Sequence, residues 1–234
     1  MEKKILFFHG CMNRFYTSRV SEATERILRE AGIEYTSLDK EVCCGFILYE
    51  NGQEEAAKEL MKKNQRIFAD LKDIDTILTS CPTCAYMFKI HYPEYLPDFN
   101  YTIIHVTELL ASLIKEKKLK IRKKKDICVT YHDPCHLLRS LKVSEEPRNI
   151  LNAILKENIR EMEHSLESSK CCGAGSGVRL SFSRIAQSLA QDRIEEAKKT
   201  GASVLVTSCP TCMMHLQENT NELKVLDIAE IFNL

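Results

Sequence analysis

Short apolar runs alternate along the chain with longer amphipathic stretches, and the alternation occurs twice. Residues 5–8 are a run of four apolar side chains ending at His9-Gly10-Cys11, which predicts a buried strand. Residues 18–29 carry Val20, Ala23, Ile27 and Leu28 at helical spacing, with Gly32 as a stop. Residues 33–38 predict a second strand that leads into Cys43-Cys44-Gly45. Residues 53–71 set Ala56, Ala57, Leu60, Ile67 and Phe68 on one helical side and charges on the other. Residues 74–78 are a third strand, and Pro82 suits the first turn of a helix, where its missing N–H costs nothing. Residues 101–106 and 107–115 supply a fourth strand and a closing helix.

The second half repeats the plan. Strands are predicted at 127–131, 158–162 and 203–206, and helices at 145–155 and 183–199. The stretch Val225-Leu226-Asp227-Ile228-Ala229-Glu230 echoes Ile103-Ile104-His105-Val106-Thr107-Glu108. This order implies an α/β fold of two Rossmann-like halves, each a mostly parallel sheet with flanking helices, related by a pseudo-twofold axis. The expected domains are 1–118 and 126–234, joined by a solvated basic linker at about 115–125.

The repeat is sharpest in its cysteines. Thr79-Ser80-Cys81-Pro82-Thr83-Cys84 recurs unchanged as Thr207-Ser208-Cys209-Pro210-Thr211-Cys212, 128 positions later. Cys43-Cys44-Gly45 and Cys171-Cys172-Gly173 precede the two copies, and Cys11 and Cys135 precede those. Ten of eleven cysteines thus form two sets of five, and Cys128 alone stands outside, expected as a small buried hydrophobe in its strand. All ten follow strands or the loops after them, where ligands of parallel sheets gather.

Composition narrows the chemistry. The 33 basic residues balance 33 acidic ones and Trp is absent, so neither a global field nor a stacking surface points to nucleic acid. The apolar run at 5–8 is too short for a signal peptide, and no run is long enough for a membrane span, so a cytoplasmic protein is expected. Thiols stay reduced there, and an odd count with CxxC spacing belongs to metal or redox chemistry rather than to disulfides. Thiolates select iron–sulfur clusters, zinc or copper(I). Iron–sulfur ligation is preferred over zinc, which takes four ligands from two short knuckles, and over metal-free dithiol chemistry. A fifth cysteine per site implies either a cluster that is not an ordinary cubane or one thiol free to exchange with a substrate sulfur.

For two adjacent cysteines to reach one site the chain must turn, and Gly45 and Gly173 permit it. Gly173-Ala174-Gly175-Ser176-Gly177 resembles a dinucleotide fingerprint with its third glycine one position early, and a nucleotide site is rejected. His132 and His136 flank Cys135, as packing residues or as donors of a hydrogen bond or proton. His9 stands where the second half has Asp133. Arg14, Arg139 and Arg179 lie near the cysteines, to offset cluster charge, bind an anionic substrate or face solvent.

These motifs resemble the cysteine-rich CCG domains of heterodisulfide reductase, found in its B-type subunit and in the catalytic part of its D-type subunit. Related halves occur in iron–sulfur subunits of glycolate, lactate and glycerol-3-phosphate oxidising systems. His132-Asp133-Pro134-Cys135-His136 and Cys171-Cys172-Gly173-Ala174-Gly175 look most like the D-type and glycolate-oxidase-type branch. The resemblance covers essentially the whole chain, and both copies are complete. It implies a noncubane [4Fe–4S] cluster on Cys11, Cys43, Cys44, Cys81 and Cys84, and a second on Cys135, Cys171, Cys172, Cys209 and Cys212. It further implies that the clusters face each other, that a small disulfide such as that of coenzymes M and B is cleaved between them, and that His136 is a proton donor. The chain has no ferredoxin-type run and no flavin or nicotinamide fingerprint. A partner protein carrying ferredoxin-type clusters, a flavin or both is therefore expected as electron donor. Two other readings stand beside this enzyme: an electron-transfer subunit of a hydroxy-acid oxidising flavin complex, and a zinc-stabilised protein without redox function.

Overall fold

The computed structural model describes residues 4–71, 73–121 and 123–232. Residues 1–3 and 233–234, at the ends of the two expected domains, and residue 122 in the basic segment lie outside the described residues.

The first half forms a sheet of β1 (Ile5–Phe7), β2 (Tyr35–Thr36), β3 (Thr76–Thr79) and β4 (Thr102–His105), ordered β2-β1-β3-β4. The second half forms β5 (Val129–His132), β6 (Val204–Thr207) and β7 (Lys224–Asp227), ordered β5-β6-β7. Every pairing is parallel. β1, β3, β5 and β6 are buried at every position, so they read as unbroken apolar or Thr-rich runs instead of alternating ones. Phe7 pairs with Leu78 and Tyr131 with Val206, so the two halves share one register.

The sheets pack through a common core that takes Phe7, Leu78 and Leu110 from the first half and Tyr131, Val206 and Ile228 from the second. The helix Ser18–Glu30 lies against Ile228–Ile231, and Val106–Lys115 lies against Glu145–Ile154. Exchanging the halves exchanges these two pairings, as a twofold axis requires. The helix after β4 and the helix after β7 also start alike. His105 and Asp227 each cap the N-terminus, with Glu108 and Glu230 returning a hydrogen bond to the cap N–H.

Three expectations need correction. The segment 158–162 is not a strand. Its Arg160 N–H donates to Val129 O at 2.9 Å, but Glu161 is drawn to Arg148 and Met162 to Arg193, so side chains rather than a ladder hold it. The basic segment is not simply solvated, because Leu119 is buried in the common core and the Lys125 N–H donates to Ile154 O. Cys128 is half-buried and sits one residue before β5, its carbonyl accepting from the N–H groups of Ser203 and Val204. In addition, β2 keeps only two of the six residues read as strand. Arg14 donates to the carbonyls of Leu38 and Asp39 and turns the chain there.

Candidate metal centres

Each cysteine owes its place to a local feature. Cys81 and Cys209 leave β3 and β6 in extended conformation and cap the helices Pro82–Tyr86 and Pro210–Glu218, each with proline in its first turn. Three residues on, Cys84 and Cys212 fall on the same helical face. Cys11 lies in the helix Gly10–Phe15 after β1, and Cys135 directly before a π-helical turn, His136–Ser140, after β5. Gly45 and Gly173 both adopt φ +90°, which turns the chain after each cysteine pair.

The result is two chains of touching thiols. In the first half Cys11 contacts Cys43 with Sγ atoms 3.9 Å apart, and contacts continue from Cys43 to Cys44, Cys44 to Cys84 and Cys84 to Cys81. In the second, Cys135 contacts Cys171, Cys171 contacts Cys172, Cys172 lies 3.3 Å from Cys212, and Cys212 contacts Cys209. All are free thiols, and these separations are far from the roughly 2.05 Å of a disulfide. The ten repeated cysteines therefore gather as five and five.

Within each chain some sulfurs accept and others donate. Hydrogen bonding shared with Cys11 and then Cys44 holds Cys43 low, at about 3, against its burial. Cys171 receives hydrogen bonds from Cys135 and Cys172, with Gly173 N–H 3.3 Å away, and is held at about 2. Cys81 is lowered by the Cys84 thiol and by the N–H groups of Cys84 and Thr83 at the helix start. The donors Cys11, Cys44, Cys84, Cys135, Cys172 and Cys212 are pushed up correspondingly. Five soft donors in mutual contact and backed by apolar packing suit a thiophilic metal group, whose ligands must give up their protons.

The surrounding charges are structural. Arg14 and Arg139 play one role in the two halves: Arg139 donates to Ser169 O at 2.5 Å, pinning the loop before Cys171 as Arg14 pins the one before Cys43. Arg179 pairs with Glu218 at 2.7 Å and touches Met214 Sδ. Asp133 is buried and forms a two-pronged pair with Arg148 at 2.8 and 3.0 Å, while also accepting from Leu166 N–H. His9 instead faces two carboxylates, with Glu25 at 3.1 Å and Glu41 at 3.4 Å. Burial lowers its pKa, but these two acids outweigh that and raise it.

His136 lies between the halves. Its ring stacks on Tyr86 and meets Phe46 edge-on, both at 5.0 Å. Burial lowers its pKa, and Nδ1 is 3.3 Å from Ser140 Oγ. All five second-half cysteines and His136 line one small cavity, whose opposite wall is Phe46, Pro82 and Thr83. Phe46 follows Cys44 by two residues, and Pro82 and Thr83 lie between Cys81 and Cys84, so the wall is made by segments that carry the first thiol set. Sequence reasoning missed this wall, as well as the placement of His132, whose ring nitrogen lies with the sulfurs of Cys172 and Cys212 in one group within 4.8 Å. The only local signal was that His132 ends a strand next to Cys135.

Comparison with known proteins identifies the family. The model of the cysteine-rich domain CCG matches twice, at residues 5–89 and 129–217. The D-type subunit of dihydromethanophenazine:CoB–CoM heterodisulfide reductase from Methanosarcina acetivorans is 38% identical, over 98% of this chain and 58% of that protein. The B-type subunit of fumarate reductase (CoM/CoB) from Methanothermobacter marburgensis is 36% identical, over 99% of this chain and 46% of that protein. The EtfAB:quinone oxidoreductase of Syntrophomonas wolfei is 32% identical, over 98% and 34%. The chain thus spans from about a third to somewhat over half of these relatives. Among the described residues no helix is long and apolar enough to cross a membrane.

Proposed function

Since this chain belongs to the cysteine-rich CCG domain family, we propose that it is an iron–sulfur oxidoreductase subunit of heterodisulfide-reductase type, reducing a small disulfide. The observation that carries this reading is the pair of five-thiol chains, one of them opening into a cavity between the halves. On this reading Cys11, Cys43, Cys44, Cys81 and Cys84 hold one [4Fe–4S] cluster of noncubane type, and Cys135, Cys171, Cys172, Cys209 and Cys212 hold the other. The clusters, when bound, supply one electron each. The rest falls to the chain. Phe46 and Pro82 give the cavity an apolar wall, and burial lowers the His136 pKa, which makes its imidazolium a readier proton donor. Cleaving R–S–S–R′ to two thiols takes two electrons and two protons; the His136 imidazolium, protonated from solvent, delivers one proton to a departing sulfur and returns to the neutral ring, and water supplies the other. A partner protein with ferredoxin-type clusters or a flavin delivers the electrons.

A second reading, an electron-transfer subunit of a flavin-linked complex, draws support from the EtfAB:quinone oxidoreductase relative. The first test counts iron, acid-labile sulfide and zinc on protein purified without oxygen. About 8 iron and 8 sulfide per chain are expected for two four-iron clusters. Zinc without sulfide refutes any redox function. Given clusters, a paramagnetic state that binds added thiol on partial oxidation supports disulfide chemistry; its absence favours electron transfer alone.

A further inference from the structure

The halves match in their thiols and differ in what stands beside them. The shared register makes Phe8 and His132 equivalent, since each follows the residue paired at the same rung of β1–β3 or β5–β6. Phe8 is surrounded by rings, edge-on to Phe88 at 4.9 Å and Phe68 at 6.1 Å. His132 is 1% exposed, its Nδ1 has no hydrogen-bond partner among the described residues, and a ring nitrogen groups with the sulfurs of Cys172 and Cys212 within 4.8 Å. Leaving such a group buried and unpaired costs about 1–3 kcal/mol, so its persistence asks for an acceptor beside it. In either protonation state an imidazole ring has at least one N–H to give.

A second difference lies behind the first. The helices Glu54–Asp70 and Ser183–Lys199 are of equal length, and Asn64 and Arg193 hold the same position in them. Asn64 is a neutral amide that donates to Cys43 O and Tyr92 Oη. Arg193 is a wholly buried cation that pairs with Glu196 at 2.8 Å. The first set of thiols has instead a buried carboxylate nearby, Glu41, which accepts the N–H groups of His9 and Gly10.

We propose that His132 is a positioning residue that donates its ring N–H toward the sulfurs held by Cys172 and Cys212, making the second-half cluster the easier of the two to reduce. The inference rests on the two-cluster reading above. Reduction adds negative charge, and donors to the sulfurs of a cluster stabilise the reduced form, whereas a phenyl ring cannot. Electrons entering the chain then settle on the site that opens into the inter-half cavity.

The test is an EPR-monitored redox titration of anaerobic protein whose iron and sulfide have first been counted. Wild type should show two separate potentials. His132→Phe, which copies the first half, should lower the higher one by at least a tenfold change in reduced-to-oxidised ratio, or about 59 mV for one electron. The lower potential should stay in place, and His132→Gln, which keeps an N–H donor, should restore part of the shift. Unmoved potentials, or equal movement of both, would overturn the inference. So would loss of half the iron from His132→Phe, because His132 would then be a ligand rather than a donor. Should that variant not fold, Phe8→His supplies the converse: the lower potential must rise, and no rise refutes the idea. Wild-type protein without clusters would defeat the proposed function itself, whereas intact clusters indifferent to position 132 would defeat this inference alone.

Discussion

Gly45 and Gly173 make the same turn after the same Cys-Cys pair, yet replacing them with alanine should have unequal effects. Both have φ +90°, so an added side chain meets the left-handed penalty of about 1–2 kcal/mol in either place. Alanine also restricts the unfolded chain, which returns about 0.4–1 kcal/mol. At Gly45 the new Cβ would lie 3.3 Å from Ala57 O, a contact that a small shift relieves. At Gly173 it would lie 2.7 Å from Ala186 O and 2.9 Å from Leu189 Cβ, against backbone of the long helix. Overpacking of that kind adds about 1–3 kcal/mol. Gly45→Ala should therefore cost about 1 kcal/mol and Gly173→Ala about 2–4 kcal/mol. Urea unfolding of both variants, followed by helical signal under anaerobic conditions, measures the difference. Iron content should fall further in Gly173→Ala, because the turn it distorts aims both Cys171 and Cys172. Equal losses in the two variants would refute the reasoning, since the backbone conformation is shared and only the close approach differs.

Cys44→Ser and Cys172→Ser should each remove about half of the iron, from one site only, as measured by metal analysis; unchanged iron in both would show that the adjacent cysteines are not both ligands. Burial holds His105 at about 4, against 6.5 in the unfolded chain, so the unfolded state binds the extra proton first. The His105 contribution to stability should be complete above pH 6.5 and be lost between pH 6.5 and 4, by about 3 kcal/mol. His105→Asn, which retains a capping acceptor for Thr107 N–H, should make that part of the profile shallower by this amount in pH-dependent unfolding. Arg148→Ala strands the Asp133 carboxylate and should cost about 3–5 kcal/mol in thermal or urea unfolding, with Asp133→Asn in the same chain recovering part of it.

The residues 183–199 were legible as a helix to the residue, and so were the starts of those at 18 and 145, because their periodicity and flanking signals are local. The sorting of ten cysteines into two equivalent sets was equally legible, since a repeated strand-turn-helix plan brings equivalent residues to equivalent places. Where long-range partners compete, local pattern failed. Residues 158–162 stand where the repeated order calls for a strand, but Arg148 from the preceding helix and Arg193 from a later one hold them by their side chains. Arg14 and Arg139 were open in the sequence between offsetting cluster charge, binding an anionic substrate and facing solvent, whereas folding directs them to loop carbonyls some 25 to 30 residues away. Residue type and spacing were enough for the donor set, the α/β order and the twofold plan. Folding alone brought the second thiol set to a cavity walled by Phe46 and Pro82, and stood His132 rather than a phenyl ring beside it. Those facts depend on which side chains meet across strands and between halves, and no spacing along the chain encodes such a meeting.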